Sequence, residues 1–255
     1  MHSLKVTRYV QPLREGGSLP AIVEADDEGL YVMKFQGAGQ GRKALIAEII
    51  AGELARALGL PMPTLVFLDL EEKFGLNEPH QEIQDLLNGS TGKNIGVDYL
   101  PGSITFDALV PGALTPKLAS EIVWFDALIL NVDRTARNPN LLTWHKQLWL
   151  IDHGASLYFH HGWSNPAESA KQPFKPIKDH VLLPFASQLE QVSFQLSRAQ
   201  LDDVLAKIPT EWLENEPGFA DAEAVRRAYL DFIESRLAHR DVFVKEARRA
   251  RSERV

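Results

Sequence analysis

Cysteine is absent from the 255 residues of this chain. Its absence excludes a disulfide framework, a thiol nucleophile and a zinc site with cysteine ligands. The sequence also lacks an apolar run of about 18 residues, so no membrane-spanning helix is predicted. The N-terminal residues lack the apolar central segment of a secretory signal. From these absences we expect a cytoplasmic protein that does not bind membranes.

Basic residues do not outnumber acidic ones. The chain has 27 Lys and Arg residues against 34 Asp and Glu residues, a formal net charge of −7. Nonspecific binding to nucleic acid depends on a basic surface, so no nucleic-acid partner is expected. The C-terminal segment "KEARRARSERV" is basic. It is typical of a solvated helix end, and the alternative is a contact with an anion or a partner.

Residues 1–100 show a mixture of strand and helix signals. Residues 18–37 predict two short strands around a turn at Asp26–Gly29. Residues 43–60, rich in Ala, Leu and Glu, predict a helix that ends at a glycine. Residues 71–92 predict a polar insertion with one short helix. Two further strands are predicted in the segments "TLVFLDL" and "KNIGVDYLPGS".

Helix signals dominate after Gly102. The segment "TPKLASEIVWFDALILN" predicts an apolar helix with Thr115 as its N-cap and Pro116 at its first position. Three more helices are predicted towards the C-terminus, over residues 181–194, 199–208 and 220–250. In the last of them, apolar residues recur at helical spacing and would face the core: Val225, Tyr229, Phe232, Ile233 and Leu237.

These elements predict an α+β fold with two lobes. A small N-terminal lobe, residues 1–102, would be built on a β-sheet with one helix, and a larger, mostly helical C-terminal lobe would span residues 103–255. The chain is long enough for two modest lobes. Its 45% hydrophobic and 24% charged residues are ordinary for a globular protein.

One short region concentrates polar residues beside a predicted β-hairpin. The apolar runs "NLLTW" and "QLWLI" are separated by His145 and Lys146. A two-residue turn there pairs Trp144 with Gln147. Counting outward sets Asn140 opposite Ile151, and Pro139 opposite Asp152. Asn138 would then lie beside Asp152, at the end of the hairpin opposite the turn.

Asp133, Asn138 and Asp152 form the candidate site predicted at that end. Clustered carboxylates repel each other unless a cation lies between them, and hard divalent cations such as Mg²⁺ prefer oxygen ligands. A further carboxylate, left unligated, can orient or deprotonate a hydroxyl group. Any single Asp here could instead be a turn or cap residue. The combination favours a site that binds divalent cations and phosphate.

The segments "DRTARN" and "IDHG" resemble the Asp-x-x-x-x-Asn catalytic loop and the Asp-Phe-Gly metal motif of protein kinases. Asn131 and His153 stand where typical protein kinases have His and Phe. The pattern is closer to HipA-like kinases and to phosphatidylinositol 3- and 4-kinases. The segment "AEIIAGELARALGLPMP" resembles a helix of HipA-like kinases in particular. The resemblance spans residues 15–157 and implies a two-lobed protein-kinase-like fold.

The resemblance also implies roles for individual residues. Asp133 would be the catalytic base, and Asn138 and Asp152 would bind Mg²⁺. Lys34 would hold the phosphates of ATP and pair with Glu48. ATP would be bound by a phosphate loop and by the backbone of the predicted lobe linker, which together contain Gly16, Gly17, Ser18, Asp98, Tyr99 and Leu100.

Several alternatives remain at this stage. The glycine-rich residues 15–21 could form an ordinary turn, and residues 36–43, with Arg42 or Lys43, could contact phosphate in their place. Lys34 could be an exposed strand residue. The predicted function is ATP- and Mg²⁺-dependent phosphorylation of Ser or Thr in a protein. The alternatives are a small hydroxylated acceptor, a pseudokinase that binds nucleotide or partners without turnover, and an AMP transferase.

Overall fold

The computed structural model describes residues 1–13, 19–39, 41–72, 74–108, 114–163 and 165–254. The chain divides into two compact units. The first unit contains Met1–Ile46 and Pro63–Pro101, and the second contains Ala47–Met62 and Gly102–Val255. The helices and strands of these units confirm the predicted α+β class. The units differ from the predicted lobes because residues 47–62 belong to the second unit.

The described part of the first unit contains a closed five-stranded barrel. Its strands are β1 (Ser3–Pro12), β2 (Ala21–Ala25), β3 (Leu30–Lys34), β4 (Leu65–Leu70) and β5 (Gly92–Asp98). Strands β2 and β3 form the predicted hairpin around Asp26–Gly29, in which Ala21 pairs with Met33. The barrel closes where β1 pairs with β4 in parallel. Closure protects the strand edges, which would otherwise be open to pairing with other chains.

Apolar side chains fill one core of the first unit. Its buried members are Val6, Ala21, Val23, Ala25, Tyr31, Met33, Phe35, Val66, Leu68, Leu70 and Leu87. Alternate residues of β2 and β3 contribute to this core, as the two-residue period of a strand requires. Strand β1, which the sequence analysis did not predict, contributes Val6 and is otherwise exposed or half-buried. Its apolar alternation is therefore too weak to be recognised in the sequence.

The predicted helix after the hairpin is α1 (Gly41–Ala57). The chain turns after it at Gly59, whose φ of 74° lies in the left-handed region that glycine adopts without strain. A 3₁₀ turn (Phe74–Asn77) and α2 (Gln81–Asn88) lie between β4 and β5. They confirm the polar insertion with one short helix.

Helix α3 (Pro116–Leu128) lies in the core of the second unit, and all its residues from Ile122 to Leu128 are buried. The Thr115 hydroxyl accepts the N–H of Leu118 at 3.1 Å, which confirms the predicted N-cap. The Trp124 ring packs edge-on against two other aromatic rings, with centroids 5.4 Å away in each case. Because it is buried nearly all round, α3 must satisfy its polar side chains internally.

The remaining described helices also belong to the second unit. They are α4 (Pro166–Ser169), α5 (Arg198–Ala206), α6 (Thr210–Leu213), α7 (Ala222–Ala238) and α8 (Arg240–Ser252). Helix α5 confirms the helix predicted over residues 199–208. The single helix predicted over 220–250 is wrong, because the chain breaks at His239 between α7 and α8. The His239 ring bonds the carbonyl of Ser235 at 2.7 Å and so caps the last turn of α7.

The helix predicted over residues 181–194 is also wrong. Two 3₁₀ turns, Leu183–Phe185 and Leu189–Gln191, occupy that segment. Pro184 has no backbone N–H to donate inside an α-helix. Between the turns, the N–H of Gln188 donates to the Ser120 hydroxyl at 2.8 Å. Tertiary contacts with α3 therefore take up backbone groups that a helix would have used.

The second unit also contains the predicted β-hairpin. Its strands are β7 (Leu141–Trp144) and β8 (Gln147–Leu150), and β6 (Ile104–Thr105) pairs with β7 to make a three-stranded sheet. Trp144 pairs with Gln147, and the N–H of Ile151 donates to the carbonyl of Asn140 at 3.1 Å. The predicted register is therefore confirmed as far as the Asn140–Ile151 pair.

Candidate active site

A loop between α3 and β7, residues 131–140, holds Asp133 through three asparagine side chains, two at its carboxylate and one at its backbone N–H. The Asp133 Oδ2 accepts Nδ2 of Asn138 at 2.8 Å and Nδ2 of Asn140 at 3.2 Å. The backbone N–H of Asp133 donates to Oδ1 of Asn131 at 3.1 Å. Asp133 is half-buried and Asn138 is exposed. The carboxylate is thus held in one orientation at the surface of the second unit.

The two oxygens of Asp133 have different surroundings. Oδ2 accepts both amide donors, whereas Oδ1 accepts no hydrogen bond from the residues that the structure describes. An ionised carboxylate is an acceptor at both oxygens. Asp133 can therefore accept a proton, or a hydrogen bond from a hydroxyl group, at Oδ1 while its amide contacts hold it in place.

The amide of Asn138 has a defined orientation. Its Nδ2 must face Asp133, because an ionised carboxylate can only accept hydrogen bonds. Its Oδ1 therefore points away from Asp133. A carbonyl oxygen in that position is a suitable ligand for a hard cation.

Asp152 follows the last paired residue of the hairpin. Asn140 and Asp152 both have left-handed φ angles, 48° and 54°. Regular antiparallel pairing therefore stops at Asn140 and Ile151, and the strand register cannot be extended to Pro139 and Asp152. Asp152 is half-buried, and like residues 138–140 it lies at the end of the hairpin opposite the His145–Lys146 turn. Its proximity to Asn138 stays a prediction.

Below this surface lies a buried carboxylate, Asp126 on α3. It receives Nε of Arg134 at 2.5 Å, Nδ2 of Asn131 at 3.0 Å and Nε2 of His180 at 2.8 Å. Burial alone would raise the pKa of Asp126. The charge of Arg134 and the hydrogen bonds from His180 and Arg134 outweigh burial and hold that pKa below its ordinary value. Asp126 is therefore an ionised anchor for the loop that carries Asp133.

His180 is held as a neutral ring. The N–H of Leu182 donates to its Nδ1 at 3.0 Å, so its proton must be on Nε2, which faces Asp126. Burial lowers the pKa of His180 from the ordinary value of 6.5, although Asp126 opposes the shift. His180 thus supplies a hydrogen bond without adding a second charge to the Asp126–Arg134 pair.

His153, the residue after Asp152, contacts α1 and Arg134. Its backbone N–H donates to Oε2 of Glu48 at 2.8 Å, and its Nδ1 lies 3.9 Å from Oε1 of Glu48. Its Nε2 lies 2.9 Å from Nη2 of Arg134. An arginine can only donate, so Nε2 must accept and the ring proton must be on Nδ1. Glu48 is thereby linked to the segment that carries Asp152.

The predicted nucleotide residues of the first unit lie at strand ends. Lys34 is the last residue of β3 and is half-buried. The N–H groups of Asp98 and Tyr99 donate to the carbonyls of Thr64 and Leu30 at 2.9 and 3.0 Å. The N–H groups of Asp98 and Tyr99 are thus already bonded. The candidate backbone donor to a base is therefore the N–H of Leu100. The predicted pair of Lys34 with Glu48 stays a prediction.

The predicted phosphate loop, Gly16, Gly17 and Ser18, lies outside the described residues. In the alternative loop, Arg42 is in the first turn of α1, and its Nε bonds Oε1 of Gln36 at 3.3 Å. Both loops therefore remain open as candidates.

The described residues contain no group of three or more His, Cys, Asp or Glu side chains that could hold a metal by themselves. The predicted metal ligands, Asn138 and Asp152, do not amount to such a group. Mg²⁺ is commonly bound by one or two carboxylates together with waters and substrate phosphates. A two-ligand site of this kind needs phosphate to complete it.

No helix in the described ranges is long and apolar enough to cross a membrane.

Sequence reasoning missed Arg134, Asn140, Asp126 and His180 as parts of the site. One signal for Asp126 was present, because it is an acidic residue inside the apolar run "EIVWFDALIL". A buried carboxylate needs a partner, and Arg134 follows shortly in the chain. His180 had no local signal, since it lies in an irregular segment far along the chain.

Comparisons with known proteins give a matching family and several similar solved structures. The family described as HipA-like kinase matches residues 6–244. The crystal structure of the Helicobacter pylori proinflammatory kinase CtkA is similar, with 12% sequence identity, a TM-score of 0.49 and coverage of 99% of each chain. No curated protein matches the chain.

Proposed function

Because the chain belongs to the HipA-like kinase family, as its sequence predicted, we propose that it transfers the γ-phosphoryl group of ATP to a hydroxyl group. The preferred acceptor is a Ser or Thr side chain of a protein. The observation that supports this function best is the Asp133 carboxylate, which two asparagine amides orient while its Oδ1 accepts no hydrogen bond from the described residues.

The donor set suits ATP with Mg²⁺. The Oδ1 of Asn138 points away from Asp133, and the carboxylate of Asp152 lies at the same end of the hairpin. One amide oxygen and one carboxylate match the ligands that Mg²⁺ takes when phosphate and water complete its shell. When bound, Mg²⁺ would neutralise charge on the β- and γ-phosphates. In this proposal Asn138 and Asp152 are its protein ligands.

Asp133 acts as the base. Its Oδ1 would accept the hydrogen bond of the acceptor hydroxyl, and then its proton as the oxygen bonds to phosphorus and the bond to the ADP oxygen breaks. Asn138 and Asn140 keep the carboxylate in place through Oδ2. The chain would contribute mainly positioning and electrostatic stabilisation, since phosphoryl transfer asks little covalent chemistry of the protein.

The remaining residues bind the nucleotide in this proposal. Lys34 binds the α- and β-phosphates, and the pairing with Glu48 would fix it. Gly16, Gly17 and Ser18 cover the phosphates, and Leu100 is the backbone donor to adenine. Glu48 also accepts the backbone N–H of His153, and so helps to hold the segment that carries Asp152.

A protein acceptor is favoured over a small molecule by the surroundings of Asp133. Its neighbour Val132 is 42% exposed, and Tyr158 is 66% exposed in the segment that follows the Asp152 motif. The backbone N–H of Leu157 donates to the carbonyl of Ile129, which holds these two segments together. Contiguous exposed apolar patches mark contact with a macromolecule, and in this proposal Val132 and Tyr158 belong to such a patch.

The test is incorporation of label from [γ-³²P]ATP with Mg²⁺, using the chain itself and dephosphorylated casein as acceptors. Asp133→Asn keeps the size of the side chain and removes its basicity, so we expect the rate to fall about 10³-fold. Asp179→Asn is the matched control, since Asp179 is an exposed aspartate of the same unit, and its rate should equal that of the wild type. Equal incorporation by wild type and Asp133→Asn would contradict the proposal.

Three alternatives have distinct outcomes in label-transfer assays of this kind. A pseudokinase would bind ATP and transfer no label to any acceptor. An AMP transferase would transfer label from [α-³²P]ATP and none from [γ-³²P]ATP. A small-molecule kinase would leave the protein fraction unlabelled and place the label on a soluble hydroxylated compound.

A further inference from the structure

Arg134 is a fully buried arginine whose guanidinium contacts four residues from three segments of the second unit. Its Nε and Nη2 bond the two carboxylate oxygens of Asp126 on α3, at 2.5 and 3.4 Å. Its Nη1 bonds the carbonyl of Asn140 and, at 3.3 Å, the carbonyl of Ile151. Its Nη2 also lies 2.9 Å from Nε2 of His153.

Two of these partners flank Asp152. Arg134 contacts the carbonyl of Ile151 on one side and the ring of His153 on the other. Asp152 itself has a φ of 54°, a left-handed conformation that non-glycine residues seldom adopt. Such a conformation persists where the surroundings over-determine it. Arg134 provides that constraint on both sides of Asp152.

The same guanidinium also fixes Asp133. Arg134 directly follows Asp133 in the chain, and it bonds the carbonyl of Asn140. The side chain of Asn140 in turn donates to Oδ2 of Asp133 at 3.2 Å. One buried cation therefore holds the backbone on which both carboxylates of the candidate site are carried.

We propose that Arg134 is a positioning residue that sets the separation of the Asp133 and Asp152 carboxylates. It does not touch the reacting atoms. Arginine is required because its planar guanidinium offers five donors in a fixed fork, whereas a lysine ammonium has three donors on one atom. The catalytic part of this inference rests on the proposed function, and the geometric part does not.

Arg236 offers a matched comparison. It is also fully buried in the second unit, and its guanidinium bonds the carbonyls of Ala127, Ala170 and Gln172. None of its bonds in the described residues reaches the loop of Asp133 or the segment of Asp152. Replacing Arg236 therefore reproduces the loss of a buried guanidinium without disturbing the candidate site.

The first test compares Arg134→Lys with Arg236→Lys in the full chain, at a temperature where circular dichroism shows both variants folded. For Arg134→Lys we expect kcat to fall about 10²-fold, with KM for ATP within about threefold of the wild-type value, because misplacement of catalytic groups by about 1 Å costs that much. Arg236→Lys should keep kcat within about threefold. Unchanged kcat in Arg134→Lys, or an equal loss in both variants, would overturn the inference.

The second test reads the geometry without nucleotide or metal. Hydrogen–deuterium exchange of the peptide over residues 150–157 should be about tenfold faster in Arg134→Lys than in wild type, and unchanged in Arg236→Lys. Unaltered exchange in Arg134→Lys would overturn the positioning role. If wild type transfers no phosphate yet this exchange pattern is found, the proposed function fails while the positioning role stands.

A milder pair of variants covers the case in which Arg134→Lys does not fold. His153→Phe removes the acceptor on one side of Asp152 and leaves the other bonds of Arg134 intact. We expect kcat about tenfold lower and faster exchange over residues 150–157. His153→Gln restores an acceptor for Arg134 and should return both quantities to within about threefold of wild type. A His153→Phe variant that matches wild type in both readouts would overturn the inference.

Discussion

The two ends of the β7–β8 hairpin share one backbone feature and differ in its cause. At the turn end, His145 and Lys146 have φ angles of 48° and 64°, as a two-residue turn of this hand requires. At the open end, Asn140 and Asp152 have φ angles of 48° and 54°. No tight turn requires the second pair. Those residues are held by Arg134 and by the ordered loop around Asp133.

The difference distinguishes a backbone conformation set by neighbouring residues from one set by residues distant in sequence. The turn end follows from two apolar strands with two residues between them, so neighbours in sequence are enough to determine it. The open end depends on Asp126, a buried and ionised residue of helix α3, which lies outside the hairpin. We therefore expect changes at the open end to affect activity strongly, and changes at the turn end to affect stability alone.

The largest expected effect is at Asp152. Replacing it with Asn keeps the shape of the side chain and removes the charge that would bind a divalent cation, so the rate of label transfer from [γ-³²P]ATP should fall about 10³-fold. Circular dichroism should show an unchanged fold. A variant with more than a tenth of the wild-type rate would remove Asp152 from the proposed metal site.

The next effect concerns the anchor of the open end. Asp126→Ala leaves Arg134 as a buried cation without its carboxylate, and we expect the free energy of unfolding to fall by about 3–5 kcal/mol. Urea denaturation at pH 7.5 measures it. Asp203→Ala is the control, since Asp203 is 69% exposed in its pair with Lys207 and its loss should lower the free energy of unfolding far less. Equal losses would show that the buried pair contributes no more than a surface pair.

A third prediction concerns pH. Burial lowers the pKa of His180, so the folded state keeps this ring neutral while the unfolded chain binds a proton below about pH 6.5. The unfolded state then binds more protons, and the free energy of unfolding must fall as the pH drops below about 6.5, by at most about 1.4 kcal/mol per pH unit.

His180→Gln separates this effect from other groups, because its amide can donate to Asp126 without titrating. Between pH 7.5 and 5.5, wild type should lose roughly 1 kcal/mol more of its unfolding free energy than His180→Gln. Urea melts at each pH give the comparison. Parallel pH dependence in the two proteins would contradict a neutral buried His180.

The smallest effect is expected at the turn end. Replacing His145 with Asn and Lys146 with Gly supplies the residue types that favour positive φ at both positions. The free energy of unfolding should rise by about 0.5–1 kcal/mol, and the phosphotransfer rate should not change. A fall of more than threefold in the rate would show that the open end depends on the turn end, which would contradict their independence.

Local signals explain what the sequence predicted correctly. The turn at Asp26–Gly29, the Thr115 cap and the Trp144–Gln147 pair each depend on a few adjacent residues, and the structure confirms all three. By contrast, β1 and the closure of the barrel depend on a parallel pairing of residues far apart in sequence. No local pattern specifies such a pairing.

The two wrong helices have the same origin. Ser120 bonds the backbone of Gln188, and the ring of His239 caps α7, so in both places a side-chain contact interrupts a pattern that looked helical. For the site, the spacing of Asp133 and Asn138 correctly placed both residues in one loop. In the structure their side chains are hydrogen-bonded to each other. The pairing of Arg134 with Asp126 had a signal in the sequence, whereas its contacts with Ile151 and His153 had none, because those two residues lie beyond β8.

The most direct test is anomalous diffraction from crystals soaked with Mn²⁺ and a non-hydrolysable ATP analogue. The proposed function predicts a Mn²⁺ peak about 2.2 Å from a carboxylate oxygen of Asp152 and from Oδ1 of Asn138, with the triphosphate as a further ligand. A bound nucleotide with no metal peak at Asp152, or with Asn138 and Asp152 facing separate regions of solvent, would contradict it.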